Sequence, residues 1–106
     1  MLFMILTSIN VKAQTQAEMN QTANAEFNKV AKELNKIYKN VIGTLDEKQK
    51  ILLIKAQQDW IKFRDSHCKF DAEQYSGGSI QPLIYSSCLA EKTEARIADL
   101  KAFLEN

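Results

Sequence analysis

The chain has 106 residues, with 14 Lys and Arg against 13 Asp and Glu and a formal net charge of +1. This length allows one domain at most, and the charge excludes a strongly basic nucleic-acid-binding protein as well as an acidic tail. Hydrophobic residues make up 45% and charged residues 25%, as in folded proteins, while 3 Gly and 1 Pro supply too few turns for a β-sandwich or barrel.

An apolar segment opens the chain. Residues 1–9 are nearly all apolar, and Val11 and Ala13 suit the positions before a signal-peptidase site. The segment is too short to span a bilayer. We expect residues 1–13 to be a signal peptide and residues 14–106 to be an exported helical domain, periplasmic or secreted, with no membrane span in the mature chain. No Lys or Arg precedes the apolar run, and a buried first helix or strand is the alternative.

The rest of the chain predicts three helices, because apolar residues recur at steps of three and four. The segments cover about residues 16–42, 46–74 and 82–104. Two short connections join them, which indicates an all-α fold, an antiparallel up-down-up three-helix bundle. The predicted core residues are Met19, Ala23, Phe27, Val30, Leu34, Tyr38 and Val41 in the first segment, Leu52, Ala56, Trp60, Phe63, His67 and Phe70 in the second, and Leu89, Thr93, Ile97, Leu100 and Leu104 in the third.

Turn and cap residues mark the ends of these segments. Gly43 ends the first segment, and Thr44 with Glu47 forms a capping-box pattern at the start of the second. The Tyr-Ser-Gly-Gly-Ser run at 75–79 ends the second segment. Pro82 suits the first turn of the third helix.

Two cysteines lie near the corner between the second and third segments. Cys68 is near the end of one helix and Cys88 near the start of the next, so an antiparallel hairpin places them across from each other. We predict a disulfide that holds residues 69–87 in one shape. A metal site with His67 is the first alternative, although three ligands, two of them adjacent in sequence, make a poor zinc set. A redox pair is the second, although the Cys-x-x-Cys spacing is absent. We predict no metal and no cofactor.

Residues for catalysis are scarce. His67 is the single imidazole, and it would have to activate Ser66, Ser86 or Ser87 with the help of a third, orienting group. Ser66 is its neighbour in sequence and therefore points elsewhere on a helix. Carboxylates occur singly rather than as a pair suited to acid–base chemistry. We therefore predict that the protein is not an enzyme.

Polar residues interrupt the apolar faces of the second and third segments. Gln57 and Arg64 share a face with Cys68, and Thr93 and Arg96 lie beside the apolar stripe of the third segment. An Arg next to an apolar stripe needs hydrogen-bond acceptors. Two interpretations remain open: an intramolecular polar clamp, or an Arg that binds a partner.

The acceptors for such an Arg are expected on the neighbouring helix. Asp59 and Asp65 of the second segment are the candidates for Arg96. Trp60 lies in the middle of its stripe, so we expect it in the core, with its indole N–H bound to an acceptor.

Several motifs resemble the LprI-like lysozyme inhibitor N-terminal domain family. They are AQQDWIKFRDSHC at 56–68, GGSI at 77–80 with Pro82, Cys88-Leu89, and Thr93-x-x-Arg96 with Leu100, together with TQAEMNQ at 15–21 and Glu33-Leu34-Asn35-x-x-Tyr38. Members are small exported bacterial helical proteins, so the resemblance implies this fold and a lysozyme as one partner. It also implies structural roles for the motif residues Gln57, Trp60, Arg64, Asp65, Thr93 and Arg96.

The chain departs from the family pattern in its cysteines. The family usually has four, whereas this chain has 2. Thr22 stands where one of the missing cysteines is expected, and its usual partner would lie near Asn10. Both halves of one bridge are therefore absent together, which leaves Cys68 and Cys88 as the remaining pair.

The second connection is the candidate partner-binding segment. We name residues 75–80 the corner loop; its members are Tyr75, Ser76, Gly77, Gly78, Ser79 and Ile80. An aromatic anchor, two glycines and two hydroxyls behind a disulfide suit a loop that enters the substrate cleft of a lysozyme-type muramidase. A plain helix connection is the alternative for the loop. For the whole protein the alternative is an envelope interaction or small-ligand-binding module with no lysozyme role, which predicts a patch on the helix faces instead.

Overall fold

The computed structural model describes residues 15–105, and the predicted signal peptide at 1–13 lies outside this range. Three helices follow one another: α1 (Gln16–Ile42), α2 (Glu47–Glu73) and α3 (Gln81–Glu105). No strand occurs in the described part of the chain. The predicted all-α class is confirmed, and the predicted helix ends agree with the observed ones to within one residue.

The start of α2 differs from the predicted capping box. Asp46 is the N-cap: its carboxylate accepts the Gln49 backbone N–H at 2.8 Å, and Gln49 reaches back to the N–H of Asp46. The hydroxyl of Thr44 instead donates to the carbonyl oxygen of Val41 at 2.7 Å. The Thr44–Glu47 prediction was wrong because Asp46, directly before the first residue of α2, takes the N-cap position. The Thr44 hydroxyl instead donates to the Val41 carbonyl, which also accepts the Thr44 backbone N–H at 2.9 Å.

The third helix packs against both others. Val30, Leu34 and Val41 of α1 form one buried cluster with Ile97 and Leu100 of α3. A second cluster joins Cys68 of α2 to Cys88 and Leu89 of α3, with Phe27 and Tyr85 packed against it. Residues early in α1 contact residues early in α3, and late residues contact late ones, so the two helices run in the same direction. The connecting helix α2 runs opposite to both. The predicted antiparallel up-down-up bundle is confirmed.

Much of the predicted core stripe of α2 is exposed. Leu52, Phe63 and Phe70 are 62%, 56% and 71% exposed, whereas the buried residues of α2 are Gln57, Cys68 and Ala72. The stripe predicts the wrong face because α2 contacts mainly α3, through the face that holds Gln57 and Cys68. Hydrophobic periodicity marks every apolar stripe on a helix but does not say which one another helix covers. The predicted core residues Ala56 and Leu104 are likewise exposed.

The predicted disulfide is present between Cys68 and Cys88. The two Cα atoms lie 5.5 Å apart, within the range that a disulfide requires. Both sulfurs are committed to this bond, so neither is free to bind a metal ion as the metal-site alternative requires. Within residues 15–105, no helix combines the length and the apolarity needed to cross a membrane.

The disulfide is expected to be a major source of stability. It closes a loop between residues separated by 20 positions, so the Cys68→Ala/Cys88→Ala variant should lose about 3 kcal/mol of the free energy of unfolding. Urea denaturation followed by circular dichroism measures the loss. The unsubstituted protein in reductant is the control and should lose a similar amount. A loss below about 1 kcal/mol in both would contradict the expected constraint on the unfolded chain.

Candidate functional site

Consecutive turns build the corner loop. The Tyr75 N–H donates to the carbonyl of Ala72 at 2.9 Å, the Ser76 N–H to Glu73 at 3.0 Å, and the Gly78 N–H to Tyr75 at 3.0 Å. Each bond joins an N–H to the carbonyl three residues earlier and so closes one turn. These successive turns reverse the chain within a few residues. The loop is therefore a defined structure held by its own backbone rather than an extended linker.

The two glycines meet different requirements of the corner loop. Gly77 has a φ of +81°, a left-handed conformation that other residues adopt at a cost. A Cβ there would meet no atom within 4 Å, so this side of the backbone is open. A Cβ on Gly78 would lie 3.3 Å from the Tyr75 carbonyl oxygen, which is a tight contact. The left-handed backbone at Gly77 and the limited space for a Cβ at Gly78 each favour glycine, which explains the Gly-Gly pair.

The corner loop is tied to all three helices. The Asn20 side-chain amide of α1 donates to the Ser79 carbonyl at 3.1 Å, and the Cys68–Cys88 disulfide joins α2 to α3 behind the loop. All six loop residues are exposed, and Tyr75 and Ile80 keep 42% and 37% of their surface in solvent. The structure thus brings the predicted partner-binding residues together at one end of the bundle, while their binding role stays a prediction.

Aromatic and guanidinium groups stack in the middle of the bundle. The Cζ atoms of Arg64 and Arg96 lie 5.2 Å and 5.8 Å from the Trp60 ring centroid. Arg64 also lies 5.2 Å from the ring centroid of Phe27, on α1. Cation–π attraction therefore links α2 to α3 through the half-buried Trp60 and α2 to α1 through Arg64.

Hydrogen bonds orient both Arg side chains. The Nε and Nη2 atoms of Arg64 each lie 2.9 Å from the Oδ1 atom of Asp65. The Nε–H of Arg96 donates to the Oε1 atom of Gln57 at 2.9 Å. The predicted motif residues Gln57, Trp60, Arg64, Asp65 and Arg96 therefore form one contact network, which is the arrangement that an intramolecular clamp requires.

The predicted acceptors for Arg96 were wrong. Asp65 pairs with its neighbour Arg64, and Asp59 is exposed and accepts from Lys55 at 2.7 Å. The Lys55 hydrogen bond lowers the pKa of the Asp59 carboxyl, so this residue stays ionised on the surface. The neutral Gln57 takes the role because it is the polar residue of α2 that is buried against α3.

An open cleft lies at the end of the bundle opposite the corner loop. Its volume is about 410 Å³, and its charged lining residues are Arg96 and Asp99. The sequence did not indicate this cleft, because its walls come from α1, α2, α3 and the connection between the first two. The lining residues are Val41, Leu45, Gln49, Leu52, Leu53, Ala56, Arg96, Asp99, Leu100 and Phe103.

The residues weighed for catalysis are not assembled. The His67 ring lies between the rings of Phe63 and Phe70, with centroid distances of 5.6 Å and 6.1 Å. Within residues 15–105 it makes no hydrogen bond to Ser66, Ser86 or Ser87. The same part of the chain holds no cluster of three His, Cys, Asp or Glu residues suited to a metal ion.

Comparison with known proteins identifies the family. The family model described as lysozyme inhibitor LprI matches residues 9–100. The chain belongs to the LprI family. The uncharacterized protein R02472 of Rhizobium meliloti (strain 1021) is 34% identical over an alignment 108 residues long. The alignment covers 90% of this chain and 78% of that protein. No solved structure matches the chain.

Membership of the LprI family bears on the role of the site. It is a family of inhibitors, which agrees with a protein that binds rather than catalyses. The Cys68–Cys88 disulfide fits an exported protein, because disulfides persist in oxidising compartments. The match of the family model confirms the resemblance that the motifs around Trp60 and the Gly-Gly pair indicated.

The last motif residue, Thr93, is fully buried with an unpaired hydroxyl. Its exposed fraction is 0%, and its Oγ1 atom has no hydrogen-bond partner among residues 15–105. A buried hydroxyl without a partner loses the hydrogen bonds that it makes to water in the unfolded chain. This residue therefore adds packing volume to the core while its oxygen opposes folding.

We expect Thr93→Val to stabilise the protein. Replacing the unpaired hydroxyl with a methyl group of similar size should raise the free energy of unfolding by about 1 kcal/mol. Thr93→Ser is the matched control: it keeps the hydroxyl, removes a buried methyl group and should lose about 1 kcal/mol. Chemical denaturation of both variants measures the difference. A destabilised Thr93→Val variant would mean that the hydroxyl has a partner after all.

Proposed function

We propose that this protein is an exported inhibitor of lysozyme-type muramidases that acts by protein–protein binding. Membership of the LprI family supports the inhibitory role, and the disulfide supports export. The proposal includes removal of residues 1–13 and a periplasmic or secreted mature protein. The observation that carries the site is the corner loop, which is exposed and held in one conformation at the tip of the bundle.

The shape of the corner loop suits entry into a substrate cleft. All six of its residues are exposed, and the start of α1 supports it through the Asn20–Ser79 hydrogen bond. The Tyr75 ring supplies an amphipathic anchor, and aromatic residues of this kind dominate many interfaces. The hydroxyls of Ser76 and Ser79 supply the hydrogen-bonding groups that a glycan-binding cleft normally meets. Because the disulfide and the turn bonds already order the loop, binding costs little conformational entropy.

Charge contributes little to this mode of binding. Removal of residues 1–13 takes away Lys12 and leaves 13 basic against 13 acidic residues, and many lysozymes are basic. A nearly neutral protein exerts no long-range attraction on a basic enzyme. We therefore expect shape and local contacts to set the affinity, with a weak dependence on ionic strength.

The corner loop is tested by truncating its two large side chains. Tyr75→Ala and Ile80→Ala should each weaken inhibition of a sensitive lysozyme by about tenfold or more, because buried anchors carry most of an interface's free energy. The measurement is the inhibition constant from a cell-wall lysis assay against several lysozyme classes. Gly77 is unsuitable for this test, because its φ of +81° makes any other residue there a folding variant.

Phe103→Ala is the matched control for the loop variants. Phe103 is an aromatic residue with 45% exposure, close to that of Tyr75, and it lies near the opposite end of the bundle. Its truncation should leave the inhibition constant unchanged. If the unsubstituted protein inhibits no lysozyme class at high micromolar concentration, the proposed function is wrong. Equal effects of all three variants would refute the loop as the binding site.

A second candidate function is small-ligand binding without a lysozyme role. The observation that favours it is the cleft of about 410 Å³, whose mainly apolar lining includes Arg96 and Asp99. An apolar molecule with one carboxylate can pair with the Arg96 guanidinium, provided that its carboxylate is held away from Asp99.

A fluorescent acyl carboxylate separates the two candidates. If the cleft binds such a ligand, the probe gains emission with the unsubstituted protein and with Tyr75→Ala, and much less with Phe103→Ala, which removes one wall. Phe103→Ala is therefore the variant that should weaken ligand binding, whereas Tyr75→Ala is the variant that should weaken lysozyme inhibition. No gain of emission with the unsubstituted protein would eliminate the ligand-binding function.

A further inference from the structure

The first turns of α1 are joined to the corner loop by one side chain. The side-chain amide of Asn20 donates to the Ser79 carbonyl oxygen at 3.1 Å, between residues 59 positions apart in sequence. Within residues 15–105 this is the one side-chain hydrogen bond between α1 and the corner loop. The link is not covalent, because the Cys68–Cys88 disulfide joins α2 to α3 only.

The two sides of the corner loop are held by different contacts. On the side next to α2, the backbone N–H groups of Tyr75 and Ser76 donate to carbonyls at the end of that helix. On the side next to α3, the Ser79 carbonyl accepts no backbone N–H from the described residues. Its partner in this part of the chain is Asn20. The backbone at Ser79 therefore depends on a side chain from another helix.

A second hydrogen bond orients the Asn20 side chain. The Nε2 atom of Gln16 donates to the Oδ1 atom of Asn20 at 2.8 Å. Because the amide oxygen is already bound, the amide nitrogen is the atom that faces the Ser79 carbonyl, which needs a donor. Residues four apart lie on the same face of a helix, so Gln16 reaches Asn20 within regular α1 geometry. A chain of hydrogen bonds thus runs from the first turn of α1 to the corner loop.

We propose that Asn20 is a positioning residue for the corner loop, which holds Ser79 and the adjacent Ile80 in the conformation that binds a muramidase. For its effect on binding, this role rests on the proposed function. Ile80 is one of the two large side chains of the loop and is 37% exposed. The Ser79 carbonyl belongs to the planar peptide group that precedes Ile80. Fixing that carbonyl therefore limits the directions in which the Ile80 side chain can point.

Loss of the Asn20–Ser79 bond should weaken binding more than it weakens the fold. The bond lies at an exposed site, where water can replace the missing partner, so its contribution to the free energy of unfolding is small. A loop that samples several conformations must become ordered when it binds, and this ordering lowers the affinity. Direct contact of Asn20 with the enzyme is the competing explanation for such a loss.

Asn20→Asp removes the bond to Ser79 and keeps the rest of the chain of bonds. A carboxylate has no N–H to donate to the Ser79 carbonyl, but it still accepts from Gln16. Negative charge near the N-terminus of a helix is favourable, so α1 itself should not lose stability. Asn24→Ala is the matched control, because Asn24 is an exposed Asn one turn further along α1 that makes no side-chain hydrogen bond within residues 15–105.

Amide hydrogen exchange, followed by NMR, measures the positioning without any lysozyme. The Gln81 N–H donates to a carbonyl of the corner loop at 3.2 Å and so reports on the side of the loop next to α3. In Asn20→Asp, exchange at Gln81 should become faster by about threefold or more, whereas exchange at the buried Leu100 should not change. Asn24→Ala should leave both rates unchanged. Unchanged exchange at Gln81 in Asn20→Asp would overturn the proposal.

A double-mutant cycle then measures the effect on binding. Asn20→Asp should weaken inhibition of a sensitive lysozyme by about three- to tenfold, and Asn24→Ala should not. If Asn20 acts by holding Ile80, its effect should largely disappear in the Ile80→Ala background. It should persist in the Tyr75→Ala background, because that side of the loop has its own turn bonds. Equal effects in both backgrounds would mean that Asn20 contacts the enzyme directly, which would overturn the positioning role.

Failure of the proposed function is distinguishable from failure of this role. If the unsubstituted protein inhibits no lysozyme class, the proposed function is wrong, and exchange at Gln81 still decides whether Asn20 holds the loop. If the protein inhibits and Asn20→Asp speeds exchange at Gln81 without changing the inhibition constant, Asn20 holds a part of the loop that binding does not use. That result would overturn the proposed positioning of Ile80 while leaving lysozyme inhibition intact.

Discussion

The packing of α3 against both other helices is the constraint on which the rest of the structure depends. Its buried residues contact α1 through Leu34 and Val41 and α2 through Cys68. Direct contact between α1 and α2 relies more on long side chains, such as Arg64 against Phe27. Because α3 is the shared partner, it determines which face of α2 is buried, and the polar residues Gln57 and Thr93 are buried with it.

This arrangement separates three regions with different chemistry. The corner loop lies where α2 and α3 join, and the disulfide behind it ties its shape to the core. The cleft lined in part by Arg96 lies toward the other end. The outward side of α2 runs between the two ends, and Phe63 and Phe70 are exposed on it.

Local signals were sufficient for the helices, their ends and the disulfide. Apolar spacing, Gly43 and the Gly77–Gly78 pair act through backbone and near neighbours, and the hairpin that they imply places Cys68 opposite Cys88. The motifs around Trp60 were sufficient for the family. Choices between equivalent local options were not predictable: Asp46 rather than Thr44 caps α2, and Gln57 rather than Asp59 or Asp65 binds Arg96. The choice for Arg96 depends on which face of α2 packs against α3, whereas at the start of α2 the Thr44 hydroxyl is already bonded to the nearby Val41 carbonyl.

By itself, the sequence determined the helical class, the antiparallel order, the disulfide and the position of the corner loop, because each follows from periodicity or from turns between adjacent elements. The tertiary structure alone decided which stripe of α2 is covered. Both the stripe with Phe63 and Phe70 and the face with Gln57 and Cys68 suit a helix, and hydrophobicity favours the first. The disulfide and the Arg96–Gln57 hydrogen bond turn the second toward α3. The aromatic stripe is left in solvent as a consequence of that choice.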